Sequence, residues 1–364
     1  MKGRGPPDGC ARTHPAPAQN DSKESELPVQ SPSSRDDAGA ASSVVALDIG
    51  GTKINAALVR IRGGDAEIVE TATTPTVASD GHGGVLAAAV RVAEEVLAAH
   101  PGTCLDAVGM SAGGVIDSTH GVVTHATDTI PGWAGANLAA PFAAAFGAPF
   151  YALNDAHAHG LGEALFGAGR GRDSMLMVAV GTGIGGSIVT HGRLLQGSHG
   201  AAGHIGHIGV SEAEGVECTC GRSGHLEGLA SGPGILRIAA GLGADEEAGR
   251  DGRSLASAAE RGDAAAQEAY RIAGFATGRV IGSLLNTVDV DLVALAGGVT
   301  EAYSGWLDAV RQGVAHDAMD VVAATPLTTA TRGSQAALLG AAAYALIHLG
   351  WAPSTERLAE RTGD

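Results

Sequence analysis

The sequence predicts a two-lobed α/β fold made from a duplicated unit. An apolar strand, a turn rich in Gly and Thr and a second β-prone segment occur at residues 44–59, and the same order recurs at residues 175–190. Self-similarity of this kind indicates a duplication. Segments with helical periodicity, such as 84–100, 156–166 and 263–287, lie between the strands, as is typical of α/β proteins. With 364 residues, 45% of them hydrophobic, the chain is long enough for two medium-sized domains.

The composition limits the partners that the chain can bind. A formal net charge of -16 disfavours binding to nucleic acid and to anionic membranes, because both require basic surface. It does not exclude ATP, since a glycine-rich turn and Mg2+ hold phosphates locally. No apolar run approaches the roughly 20 residues of a membrane span, and the N-terminus lacks the apolar core of a signal peptide. Four cysteines in a chain of this length indicate reduced thiols, so we expect a soluble cytoplasmic protein.

The domain organisation follows from where the apolar periodicity begins and ends. Residues 1–43 are rich in Pro, Ser, Asp and Gly, so we expect a disordered tail there without a helix-turn-helix. Residues 44–155 are predicted to form a small α/β lobe, and residues 156–333 a larger one. The apolar segment 334–349 is predicted to be a helix that packs back on the first lobe, followed by a C-terminal tail at 350–364.

The first turn, Gly50-Gly51-Thr52-Lys53, connects the strand at 44–49 to the strand at 54–59. Backbone N–H groups at such a tip are able to bind phosphate oxygens. Asp48 stands at the end of an apolar run, where a carboxylate needs a partner, and Mg2+ with its water shell would serve. The alternative is an ordinary hairpin in which Asp48 hydrogen-bonds the turn.

The second turn contains Gly181, Thr182 and Gly183, and it settles the choice for the first. Gly181, Gly183 and Gly186 match the G-x-G-x-x-G pattern of dinucleotide sites, but a β-prone segment follows instead of a helix, and no acidic residue occurs between Ser187 and Ser211. No P-loop motif is present either. Two similar turns, one from each half, are typical of actin-like and hexokinase-like ATPases of the ribonuclease H-like fold, which bind the nucleotide in the cleft between the lobes.

A strand at 149–153 ends in Asn154-Asp155 and is followed by a helix at 156–166. Side chains in this position lie at the carboxyl edge of a sheet, where ligands of α/β proteins bind. Helix capping explains one of the two residues, because Asn and Asp are both favoured N-caps. The pair exceeds what a cap requires. His157 and His159 are interpreted as helix-face residues without a chemical role.

Two glycine turns are weaker candidates for ligand contact. Gly113 follows the strand at 107–110 and would let the backbone approach a ligand; a plain strand-to-hairpin turn is the alternative. Gly297 and Gly298 end the strand at 291–296, where a flat ligand would lie against the backbone. An ordinary strand-to-helix turn explains this pair equally well.

Cys218 and Cys220 stand between His207 and His225 in the series His-x10-Cys-x-Cys-x4-His. Thiolate and imidazole are the ligands that zinc prefers, and four of them close a structural site. Gly221 and Gly224 permit the tight turn that this spacing needs. The alternative is a surface loop with two reduced thiols and incidental histidines. A metal-stiffened loop would present three further polar residues to a ligand: His204, His207 and Glu227.

The run 203–207, GHIGH, together with CTCGRSGHLEGLAS at 218–231, resembles the signature of the ROK family of sugar kinases and repressors. The resemblance extends over about residues 44–349. Three positions depart from the pattern of many members. His225 replaces a third cysteine, His204 replaces a sugar-contacting glutamate of the glucokinases, and the turn at Gly113 lacks their proline. The GHIGH run is similar to that of N-acetylmannosamine kinases.

The resemblance implies ATP-dependent phosphorylation of the 6-hydroxyl of a hexose or an N-acylhexosamine, with N-acetylmannosamine and glucose as leading substrates. It implies Asp155 as catalytic base, a homodimer, Mg2+ and a structural Zn2+. Sugar contacts are expected from Gly113, Asn154, Asp155, His204, His207 and Glu227. ATP or Mg2+ contacts are expected from Asp48, Gly51, Thr52, Lys53, Gly181, Thr182, Gly183, Gly297 and Gly298. A sugar-sensing repressor and a non-catalytic sugar-binding protein are the alternatives.

Overall fold

A computed structural model describes residues 41–127 and 129–353. In chain order the strands are β1 (Ser42–Ile49), β2 (Lys53–Arg62), β3 (Asp65–Pro75), β4 (Ala107–Ala112), β5 (Val115–Asp117), β6 (Val122–His125), β7 (Phe150–Asn154), β8 (Ser174–Val180), β9 (Ile184–Thr190), β10 (Arg193–Leu194), β11 (Val293–Ala296) and β12 (Leu327–Thr329). The α-helices are α1 (Gly81–Ala98), α2 (Ala139–Phe146), α3 (Asp155–Phe166), α4 (Leu226–Ala230), α5 (Gly232–Gly241), α6 (Gly252–Glu260), α7 (Ala264–Val288), α8 (Ser304–Asp317), α9 (Asp320–Ala323) and α10 (Ala336–His348).

The two predicted tails fall mostly outside the described residues, which begin at 41 and end at 353. At the N-terminal boundary the prediction was wrong by two residues. Ser42 and Ser43 already belong to β1, where they pair with Ile61 and Arg60 of β2. The Ser43 N–H also donates to the Asp106 carboxylate at 2.9 Å. Cross-strand hydrogen bonds hold a polar residue in place at the end of a strand. A prediction from apolar periodicity does not detect such residues.

The first five-stranded sheet has the order β3-β2-β1-β4-β7. β1, β2 and β3 are antiparallel neighbours, whereas β4 and β7 run parallel to β1. The last residues of the three parallel strands, Ile49, Ala112 and Asn154, are paired across the sheet. The side chains that follow these strands therefore converge at one edge.

The second five-stranded sheet repeats this arrangement in the order β10-β9-β8-β11-β12. β8 is again antiparallel to the strand that follows its turn, and β11 and β12 are again parallel to it. The strand, turn, strand units that predicted a duplication thus occupy equivalent places in two sheets of the same topology. Helices α5 to α8 cover the second sheet with a core that includes Tyr270 and Trp306, both buried.

Helices α3 and α10 pack on each other through glycines. A Cβ added at Gly340 would lie 1.8 Å from the Ala158 carbonyl oxygen, and one added at Gly162 would lie 2.0 Å from that of Ala336. Although α10 follows β12 of the second sheet, its apolar face shares a core cluster with residues of β1 and β2 in the first sheet. The backbones of these two helices are therefore in direct contact where the two halves of the chain meet.

No helix within the described ranges has both the length and the apolar character that crossing a membrane requires. The 25-residue helix α7 carries polar and charged residues along its exposed side, and the apolar α10 has 13 residues.

Gly340→Ala is expected to destabilise the protein by at least about 2 kcal/mol, because overpacking a close helix contact forces backbone shifts. Urea unfolding monitored by circular dichroism measures the effect. Gly83→Ala in α1 is the matched control, since a Cβ there meets nothing within 4 Å, and it should stabilise the protein by roughly 0.5 kcal/mol through helix propensity. Equal effects of the two substitutions would contradict the proposed close packing.

Candidate active site

A cavity of about 510 Å³ opens where the carboxyl edges of the two sheets face each other. Its walls come from both halves of the chain. The first half contributes Asp48, Lys53 and Asp155, and the second contributes Gly183 and Glu227. The site is thus built by residues far apart in sequence, which lie at or near the ends of strands and the starts of helices.

Asp48 lies near the end of β1, and its carboxylate is held by the two neighbouring strands. Ser111 Oγ of β4 donates to Oδ1 at 2.9 Å, and Asn55 Nδ2 of β2 donates to Oδ2 at 3.4 Å. Burial raises the pKa of the Asp48 carboxyl above its ordinary value, although these two hydrogen bonds oppose the shift; the Asp155 charge adds to the rise. The alternative in which Asp48 hydrogen-bonds its own turn is not what the described residues show.

The first glycine turn is closed by a hydrogen bond of 3.0 Å from the Gly50 N–H to the Lys53 carbonyl. Gly50 and Lys53 line the cavity. Gly51 and Thr52 are exposed at the tip of the turn and are not part of the cavity wall.

The second glycine turn lies between two cavities. Gly181 borders the first cavity and also a second one of about 860 Å³, whereas Thr182 and Gly298 border only the second. Gly183 and Gly297 border the first cavity. A Cβ at Gly183 would lie 2.8 Å from Glu227 Oε2, and one at Gly297, whose φ is +94°, would lie 2.3 Å from the Val180 carbonyl oxygen. Glycine is therefore required at Gly297, whereas a side chain at Gly183 would displace the Glu227 carboxylate.

Asn154 and Asp155 have different environments. Asn154 is the N-cap of α3, and its Oδ1 accepts hydrogen bonds from the N–H groups of Ala156 and His157 at 2.9 and 3.3 Å. Its Nδ2 donates to the Gly114 carbonyl at 3.0 Å. Asp155 is exposed to the cavity, with one oxygen accepting from the Ala156 N–H at 2.8 Å. Gly113 lies beside it, since a Cβ there would be 4.0 Å from Asp155 Oδ2. Capping thus accounts for Asn154 and leaves Asp155 available.

Glu227, near the start of α4, is buried, and its carboxylate joins three segments. Oε2 accepts from the Ile184 N–H at 2.9 Å, and Oε1 accepts from the Thr219 hydroxyl. His204 and His207 line the same wall of the cavity. The predicted trio His204, His207 and Glu227 is therefore brought together.

The interpretation of His157 and His159 as helix-face residues needs correction. His157 is 1% exposed, and its Nε2 donates to the Ala202 carbonyl at 2.6 Å. Burial lowers its pKa, which favours the neutral ring. Its ring meets that of His204 edge-on at a centroid distance of 6.2 Å. His159 lines the cavity itself. Periodicity failed here because both faces of α3 are covered.

The predicted metal ligands form one cluster. The ligand atoms of His207, Cys218, Cys220 and His225 all lie within 4.8 Å of one another. Cys218 Sγ is 3.6 Å from His207 Nδ1, and Cys220 Sγ is 3.2 Å from His225 Nδ1. Two ligands of a tetrahedral zinc ion are separated by about 3.5 Å when one is sulfur and the other nitrogen. The donor set and its spacing therefore fit a structural zinc ion.

The prediction of reduced cysteines holds for only part of the chain. Cys218 and Cys220 are free, whereas Cys104 is disulfide-bonded. Cys104 borders a separate surface pocket with Arg60 and His100, away from the candidate site.

The profile of the ROK family matches residues 44–347. The chain belongs to the ROK family. A glucokinase of Halalkalibacterium halodurans is 32% identical over 310 residues, which cover 81% of this chain and 92% of the relative. An N-acetylmannosamine kinase of Escherichia coli is 33% identical over 301 residues, covering 83% and 97%.

A solved structure confirms the predicted two-lobed fold of this ROK protein. The ROK family glucokinase of Streptomyces griseus, in complex with glucose and AMPPNP, superposes with a TM-score of 0.69 at 30% identity. The superposition covers 84% of this chain and 99% of that glucokinase.

Several site residues of this ROK protein escaped the sequence-based prediction. The second cavity is lined by Pro233, Arg253, Tyr270 and Glu301, which come from α5, α6, α7 and the segment before α8. Ser111 and Thr219 were missed as partners of Asp48 and Glu227. Thr219 lies inside the run 218–231, but the spacing of that run does not reveal its contact with Glu227, and the other residues meet only because distant elements pack together.

Asp48→Asn is expected to raise the free energy of unfolding at about pH 7. A carboxyl whose pKa is raised by folding stabilises the folded state at low pH and loses that contribution as the pH rises through the raised pKa. Asn carries no charge, so the substitution removes this loss. The gain in unfolding free energy should therefore become smaller as the pH falls toward the ordinary Asp pKa of about 4. Urea unfolding at about pH 7 and pH 4.5 measures the difference.

The control for this prediction is Asp117→Asn. Asp117 is half-buried, and its hydrogen bond with His120 lowers the pKa of its carboxyl, so the same substitution should slightly weaken the fold at pH 7. A gain at Asp48 that is the same at both pH values would mean that charge burial is not its cause.

Proposed function

We propose that this ROK protein is an ATP-dependent kinase that phosphorylates the 6-hydroxyl of a hexose or an N-acylhexosamine. The observation that carries the proposal is the position of Asp155, a carboxylate exposed to a cavity whose walls include glycine turns and polar groups able to hydrogen-bond a sugar. Curated relatives that match over more than nine-tenths of their length are sugar kinases. N-acetylmannosamine and glucose are the leading substrates.

Asp155 is the proposed base. The sugar hydroxyl gives its proton to the Asp155 carboxylate as its oxygen forms a bond to the γ-phosphorus of ATP, and the bond between that phosphorus and the bridging oxygen of ADP breaks. Such positioned proton transfer contributes roughly 10²- to 10⁴-fold in rate. The Asn154 cap supports this role, because it fixes the first turn of α3 and thereby the position of Asp155.

The nucleotide is proposed to extend across both cavities. The second cavity is largely apolar and would take the adenosine, beside Tyr270, Thr182 and Gly298. Gly181 borders both cavities, so the phosphates would pass it to reach the first one. Backbone N–H groups of Gly51, Thr52 and Gly183 would hold phosphate oxygens, with Lys53 supplying positive charge. Asp48 would orient the water shell of Mg2+, which when bound neutralises developing charge on the phosphates.

The sugar is proposed to bind against Gly113, Asn154, His204, His207 and Glu227. Asn154 retains one N–H after capping α3 and bonding Gly114, and Glu227 retains lone pairs beyond those used by Ile184 and Thr219. A site made of such groups rejects sugars that leave them unpaired. The His204 position supports the N-acylhexosamine alternative, because an imidazole offers one donor and one acceptor where a carboxylate offers acceptors only.

Zinc is proposed to serve as scaffold, since four protein ligands leave no open position for substrate. His207 belongs to both the ligand cluster and the cavity wall. The ion would therefore fix the sugar-binding loop without taking part in the chemistry. A homodimer remains a prediction from the family resemblance, and a cytoplasmic location remains a prediction from the cysteine content.

The proposed reaction is tested by sugar-dependent ADP formation with glucose, mannose, N-acetylmannosamine and N-acetylglucosamine. Asp155→Asn should lower kcat by about 10²-fold or more, because the amide cannot accept the proton. The affinity for sugar, measured by calorimetry, should change little. Near-normal turnover of Asp155→Asn would remove it from the role of base, and no ADP formation with any sugar would overturn the kinase proposal.

Metal analysis of the purified protein should find about one zinc per chain. His225→Ala should lose most of this zinc and lower Tm, whereas His225→Cys should retain it, because a thiolate replaces the imidazole in a four-ligand site. A zinc-free preparation with full activity and unchanged Tm would contradict the structural-zinc proposal.

A further inference from the structure

His159 occupies the same face of α3 as Asp155, one helical turn further on. Both residues line the first cavity. The helix that carries them is fixed on two sides. A Cβ at Gly160 would lie 1.6 Å from Ser187 Oγ of β9, and one at Gly162 would overlap the carbonyl of Ala336 at the start of α10. The backbone that carries His159 is therefore held in place at the cavity wall, whereas no hydrogen bond among the described residues fixes its ring.

The Nε2 atom of His159 is buried and has no hydrogen-bond partner among the described residues. An unpaired buried polar nitrogen is unfavourable, and a ligand that supplies the missing partner removes that penalty. Neighbouring His157 shows the contrast, since its Nε2 is fully satisfied by the Ala202 carbonyl. The two histidines on α3 thus differ in whether the Nε2 atom already has a hydrogen-bond partner.

The charges around the cavity indicate which partner is missing. Three carboxylates line it, Asp48, Asp155 and Glu227, whereas Lys53 is the one lysine or arginine among the described lining residues. A nucleoside triphosphate carries several negative charges into this site, so further hydrogen-bond donors are needed near its phosphates. Besides His159, the lining histidines are His204 and His207, which stand on the sugar-binding loop.

We propose that ATP binding turns the His159 ring so that Nε2 leaves its buried position, donates a hydrogen bond to the terminal phosphate of ATP and so positions this group opposite Asp155. Burial lowers the pKa of the ring, although the charges of Glu163, Asp48 and Asp155 oppose the shift. The neutral ring still offers one N–H donor. This inference rests on the proposed kinase function, and it adds a phosphate contact that the sequence motifs do not contain.

The decisive variants are His159→Phe, His159→Gln and His159→Asn. Phe keeps the ring and removes the donor. The Gln amide reaches the position of Nε2, whereas the shorter Asn amide does not. The KM for ATP should rise about tenfold in Phe and Asn, in line with the loss of a hydrogen bond to a charged group, and Gln should restore most of it. The KM for sugar should stay near the wild-type value.

Stability gives an independent readout. His159→Phe should leave the Tm of the ligand-free protein unchanged or higher, because it removes an unpaired buried atom, but AMPPNP should raise its Tm less than that of wild type. His157→Phe should lower the ligand-free Tm, since it breaks the bond to Ala202. His100→Phe is the matched control. Its Nε2 is also buried without a hydrogen bond, 3.4 Å from Glu70, but it lies outside the cavity.

The two proposals fail in different ways. If wild type forms no ADP with any sugar, the kinase proposal is wrong, and the AMPPNP-dependent Tm of the variants still tests the phosphate contact. If wild type is active and His159→Phe keeps both its KM for ATP and its AMPPNP shift, His159 is only a core residue. Should the Phe variant fail to fold, an equal KM for ATP in Asn, Gln and wild type overturns the proposal.

Discussion

The site depends on the immobility of helix α3, which begins at the carboxyl edge of the first sheet. Its N-terminus is capped by Asn154, which is itself tied to the Gly114 carbonyl. Further along, Gly160 lies against the Ser187 side chain of β9, and Gly162 lies against the Ala336 backbone at the start of α10. A helix fixed at its start and along two sides carries Asp155 and His159 at set positions, and positional precision is what phosphoryl transfer most requires of a protein.

The same edge concentrates carboxylates that a folded protein ordinarily avoids. Burial raises the pKa of Asp48, and the nearby Asp155 carboxylate adds to this rise. Ser111 and Asn55 offset only part of the unfavourable burial. A cavity lined by partly compensated carboxylates is suited to bind cations and the hydrogen-bond donors of a ligand. The same buried charge therefore destabilises the fold and favours ligand binding.

The opposite wall is organised by contacts between short irregular segments. Rings of His157, His204, His207 and His225 follow one another at centroid distances of 6.2, 6.3 and 5.5 Å, from helix α3 to the cluster of potential metal ligands. Glu227 connects this loop to β9 through the Ile184 N–H. Loops of this kind have few apolar contacts of their own, so hydrogen bonds and the metal ligands determine their shape.

The sequence by itself determined many of the elements and the candidate residues of the site. Periodicity and glycine turns gave the strands at both glycine turns, Cys and His spacing gave the cluster of four potential metal ligands, and the Asn-Asp pair marked the start of α3. These features are local, and a local pattern has a local physical cause.

The tertiary structure alone decided that Asn154 caps while Asp155 faces the cavity, that Gly51 and Thr52 lie outside its wall, and that His157 is satisfied while His159 is not. It also supplied Tyr270 and Arg253 to the second cavity. Each of these outcomes depends on which distant backbone or side chain approaches a residue, and spacing along the chain carries no information about that approach.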